Sequence, residues 1–267
     1  IHARKEKEKE MLEQNRFLID NLDILRTHFI NKLLHGSITS EQLKQNITSL
    51  SLSLQGPNYI ILLAKSVNEK INELIQNLAF IFRQYTPTIS SLQNYGNLVV
   101  VILNIVKKPD TQQFDFLSKT FITNLGCLDG IVAVSPLISS PMDFKLHLPG
   151  LIDLIERGFW YPKGSFRYTD VENFPAFPKD RVQEMECRLI DSIKNGSPDK
   201  ELRQQFDELL FILSESRPKL SVFREEMGYL FQKIHGVLGI DNRDSIYNCS
   251  SVSEARQQFA ELCNLPN

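Results

Sequence analysis

Five histidines, four cysteines and 32 acidic side chains are the groups in this 267-residue chain whose types could carry chemistry. His2, His28, His35, His147 and His235 are scattered, with no HxH or HExxH pairing and no cysteine at ligand spacing, so no metal centre is expected. Cys127, Cys187, Cys249 and Cys263 stand far apart without a CxxC pair, and read as reduced thiols that belong partly to the core. Glu184, Glu186 and Asp191 share one helical stretch, where carboxylates ordinarily form a solvated face. Neither a GxxxxGK[ST] nor a GxGxxG phosphate loop is present, nor a GxSxG nucleophile elbow. Trp160, the single tryptophan, lies in Gly158-Phe159-Trp160-Tyr161-Pro162. It could line a pocket, although an aromatic cluster after a helix stop more often lids a core. The side chains therefore point to a binding or relay module with no cofactor, not to an enzyme.

Composition points the same way. Apolar residues make up 42% and charged residues 23%, as in ordinary globular proteins. Thirty basic against 32 acidic side chains leave a net charge of −2, without the basic surplus by which a domain displaces counterions from DNA phosphates. No apolar run approaches the roughly 18 residues of a membrane span, and no signal peptide is visible. The expected location is cytoplasmic, with no direct membrane contact. The chain opens at Ile1 and closes at Asn267, and is expected to be a piece of something longer.

The elements that must position these groups fall into three stretches: 1–36, 37–178 and 179–267. Residues 4–10 alternate in charge, which suits a solvated helix. Apolar positions then recur at heptad spacing, with Met11, Leu18 and Leu25 at d and Asn15, Leu22 and Phe29 at a. That frame predicts a parallel two-stranded seam in which Asn15 fixes the register, the alternative being an amphipathic helix packed on its own domain. Gly36 should stop the helix, and Thr39 with Gln42 resembles a capping box opening a second helix toward Leu50. Tyr59–Ala64, Leu98–Leu103 and Gly130–Ser135 are apolar runs expected as buried strands, with helices over 67–84, 114–125 and 142–158. Thr86–Gln93 reads as strand or loop, and Asn94–Asn97 as a tight turn. Helices are expected over 180–195, 198–215, 219–238 and 252–263, the second with Ser197 as N-cap and Pro198 at its first position. Phe174-Pro175-Ala176-Phe177-Pro178 joins this helical part to the rest. The fold class is α+β: an α/β sandwich between an N-terminal helix and a C-terminal helical subdomain.

Several segments together resemble the AraC-type transcriptional regulators, in particular their YesN-like response regulators. The likeness rests on Leu25-Arg26-Thr27-His28-Phe29-Ile30-Asn31-Lys32-Leu33-Leu34-His35-Gly36, similar to the helix that enters the family's central region. It continues in Asp129–Ser140 and in Gly158-Phe159-Trp160-Tyr161-Pro162-Lys163-Gly164, which resemble a strand-and-loop and a later segment of its degenerate GGDEF-like domain. The resemblance implies a ferredoxin-like GGDEF-type sandwich over 37–178. It also implies a helical tail leading to a DNA-reading helix-turn-helix that this sequence does not contain. In a GGDEF-type cyclase, acidic residues at a strand turn hold Mg²⁺. The corresponding segment here is Gly96-Asn97-Leu98-Val99-Val100, and Tyr59–Ala64 lacks the metal-binding aspartate as well. Leu and Val offer no hard oxygen donors, so no catalysis is expected.

The resemblance thus implies a regulatory, dimerising and signal-relaying region. It would form a homodimer, reach DNA only through the absent helix-turn-helix, and take its signal from an upstream receiver or sensor module. The alternative is a small-molecule or nucleotide-sensing domain of a membrane-bound AraC-type regulator, with its ligand near Trp160 or the Asn94–Asn97 turn.

Overall fold

A computed structural model describes residues 21–52, 54, 56–65, 89–95, 98–105, 110, 112, 131–162, 164–240 and 249–265, and is of the α+β class. The helices expected over 67–84 and 114–125 lie outside the described residues. The chain divides into two compact units. The first takes residues up to 128 with 132–152 and 166–170, and the second takes 129–131, 153–165 and 171–267.

The sheet is built around β1 (Asn58–Lys65), whose six residues from Tyr59 to Ala64 are all buried. An uninterrupted apolar run has no polar face to give to water, and so takes a central place covered on both sides. β1 pairs with β3 (Leu98–Ile105) from Asn58↔Ile105 to Lys65↔Leu98, and on its other edge with β4 (Ile131–Val134) from Leu62↔Val134 to Ala64↔Val132, both antiparallel. β2 (Ile89–Tyr95) lies antiparallel outside β3 and β5 (Ser165–Tyr168) outside β4, giving the order β2-β3-β1-β4-β5. For the first four strands this is the order a βαββαβ chain adopts. The segment expected as strand or loop is thus an edge strand, and it takes in Asn94 and Tyr95 from the expected turn. Tyr95 pairs with Leu98, so only residues 96 and 97 connect the hairpin. Ser135 is fully buried and satisfied: its hydroxyl accepts from Ile61 N at 2.9 Å and donates to Pro136 O at 2.8 Å.

Among the described residues, two helices precede the sheet in the first unit. α1 is helical over 21–34 and closes on Gly36, whose φ of +70° takes the left-handed turn. Gly36 N donates to Leu33 O and Ser37 N to Lys32 O, the paired bonds of a Schellman stop. α2 (Ser40–Ser49) opens with the expected capping box: Thr39 Oγ1 accepts from Gln42 N at 3.3 Å, and Gln42 Oε1 accepts from Thr39 N at 3.0 Å. After β4, Ser140 caps a 3₁₀ turn (Pro141–Asp143) that leads into α3 (Phe144–Glu156), two residues shorter than expected at each end.

The second unit holds α4 (Lys179–Lys194), α5 (Asp199–Ser216), α6 (Leu220–Leu238) and α7 (Val252–Leu262). Apolar residues three and four apart turn inward from each helix, and their meeting point is aromatic. Phe206 stacks on Phe259 with centroids 4.1 Å apart and approaches Phe231 at 6.2 Å. The N-cap of α5 is Pro198, extended at ψ 145°, and not Ser197; it supplies no side-chain acceptor. Proline fits there because the first helical N–H groups have no intrahelical partner in any case.

Candidate functional site

Of the residues expected at a dimer seam, Met11, Asn15 and Leu18 lie outside the described residues. Leu22 and Leu25 are half-buried on α1, and Phe29 is 6% exposed, covered by its own unit. Leu25 and Phe29 also line a groove of about 290 Å³ shared with Ile38 and Leu50. Arg26 fixes the helix by donating from Nε to Leu50 O at 2.9 Å, while its guanidinium reaches Asp23 at 3.3 Å. Ile24, outside the heptad frame, is 66% exposed.

Leu98 and Val99, which the resemblance sets against the acids of GGDEF-type cyclases, lie on β3, Leu98 half-buried and Val99 fully buried. The Gly96–Asn97 connection lies outside the described residues. Trp160 is committed to structure. Its Nε1 donates to Pro218 O at 2.9 Å, and its ring meets Phe159 and Phe223 at centroid distances of 4.7 and 5.4 Å. It lids the helical core, as aromatic residues after a helix stop usually do.

Beside it, Arg157 braces the α5–α6 connection. It donates from Nε to Asp153 at 2.9 Å, reaches the carbonyls of Ser216 and Arg217, and lies 4.2 Å from the Phe174 ring centroid. Burial alone would push Asp153 up. The bonds from Arg157 and from Lys219, at 2.8 Å, outweigh it, and the carboxyl is held below its ordinary value. Tyr161 Oη bridges Glu172 at 2.9 Å and Arg217 at 3.0 Å.

Among the described residues, no three His, Cys, Asp or Glu side chains could hold a metal ion. Burial raises the Cys249 and Cys263 thiols to about 11, which leaves them protonated and unreactive at neutral pH. Cys187 is exposed on α4, and Cys127 and His2 lie outside the described residues.

On α4, Glu184 and Asp191 are exposed as a solvated carboxylate face should be, and Glu186 alone departs from that expectation. Glu186 is 2% exposed, and its Oε2 accepts from Lys233 Nζ of α6 at 3.0 Å while Oε1 has no hydrogen-bond partner. Both residues line a groove of about 420 Å³ with Val182, Glu225, Glu226 and Tyr229. Lys233 Nζ also lies 4.0 Å from the Tyr229 ring centroid. Burial, then the neighbouring Glu186 and Glu225, push the Glu226 carboxyl up. The sequence did carry a signal for this cluster. Val182, Met185, Leu189, Ile190 and Ile193 form the inward stripe of α4, and Glu186 occupies a place on that stripe.

No known protein family, curated protein or solved structure matches the chain. Among the described residues no helix is long and apolar enough to cross a membrane.

Proposed function

We propose that the chain is a non-catalytic regulatory, dimerisation and signal-relay region of a cytoplasmic AraC-type, YesN-like response regulator. The observation that carries the reading is α1. Its C-terminal turns are anchored by Phe29, Arg26 and the Gly36 stop, while Leu22 and Leu25, one a/d step apart, keep apolar surface open. A helix fixed at one end and apolar at the other suits a two-stranded seam that an upstream module can tighten or loosen. The strand order β2-β3-β1-β4 agrees with a GGDEF-like sandwich, and the apolar side chains of Leu98 and the buried Val99 support a role without nucleotide chemistry. DNA would be reached through a helix-turn-helix joined to the same polypeptide, its two heads spaced by the seam.

The test is to fuse the chain ahead of a monomeric helix-turn-helix reporter and measure occupancy of paired against single half-sites. Cooperative binding to paired half-sites, lost in Leu22→Asp, is the expected outcome. Equal binding with and without the chain contradicts the reading.

A further inference from the structure

We draw no further inference here: the strongest candidate, the groove between α1 and α2 walled by Leu25, Phe29, Ile38 and Leu50, shares Leu25 and Phe29 with the seam already described, and nothing in the structure shows what covers it.

Discussion

Replacing Arg157 with Met should lower the stability of the helical unit by about 2–4 kcal/mol. The sum is worked from the contacts of one guanidinium. A charged donor on a main-chain carbonyl, here Arg217 O, contributes about 1.5–3 kcal/mol net. The cation over Phe174, 4.2 Å from the ring centroid, adds about 0.5–1 kcal/mol. The bond to Ser216 O, at 3.4 Å, is too long to add much. Two effects limit the loss. Met keeps the packing of the aliphatic stem, and Asp153 keeps Lys219 at 2.8 Å, so no uncompensated charge is left behind. Trp160, the chain's single tryptophan, packs on Phe223 of the same unit, so urea unfolding followed by its fluorescence reads the loss directly. Arg157→Lys should fall between wild type and Met, because one ammonium cannot serve a carboxylate and a carbonyl with the geometry of a fork. A loss below about 0.5 kcal/mol for Arg157→Met would refute the reasoning, since that is the scale of an ordinary exposed substitution.

Three further outcomes are expected. Glu226 has a folded-state value above its unfolded one, so its contribution to stability is present below the ordinary glutamate range near 4.3 and is lost as pH rises through the raised value; Glu226→Gln should therefore melt higher than wild type at pH 7, with the gap closing near pH 4, and an equal gap at both contradicts this. Gly196 sits at φ +66° with open space where a side chain would go, so Gly196→Ala should cost about 1–2 kcal/mol from backbone strain alone, measured by urea unfolding. Incubation with GTP and excess Mg²⁺ or Mn²⁺ should yield no cyclic dinucleotide by chromatography, and product that vanishes on changing residues 96–100 would overturn the non-catalytic reading.

Local signals in the sequence are the most legible. The capping box at Thr39 and Gln42 is contained within four residues, and the unbroken apolar runs of β1, β3 and β4 can only lie inside a sheet. β2 is harder to read because Ile89–Tyr95 is a polar edge strand, fixed by partners on β3 and by a bulge between Ile89 and Ser91 rather than by its own alternation. The start of α5 falls one residue later than its sequence suggests because Ser197 and Pro198 are both good openers, and the choice depends on the backbone of Pro198. The Arg157 brace joins residues about 60 positions apart, beyond the reach of any local pattern. Glu186 reads as a surface carboxylate because its type outweighs its place on an apolar stripe, and only the fold supplies Lys233 as the partner that permits its burial.

The most direct test of the regulatory account is the mass of the chain in solution. Sedimentation equilibrium on wild type, Leu22→Asp and Asp23→Lys compares a charge placed in the α1 seam with one on its exposed flank. The account predicts a concentration-dependent dimer for wild type and Asp23→Lys, and a monomer for Leu22→Asp. A wild-type chain that stays monomeric at high concentration, or a Leu22→Asp variant that still dimerises, contradicts it.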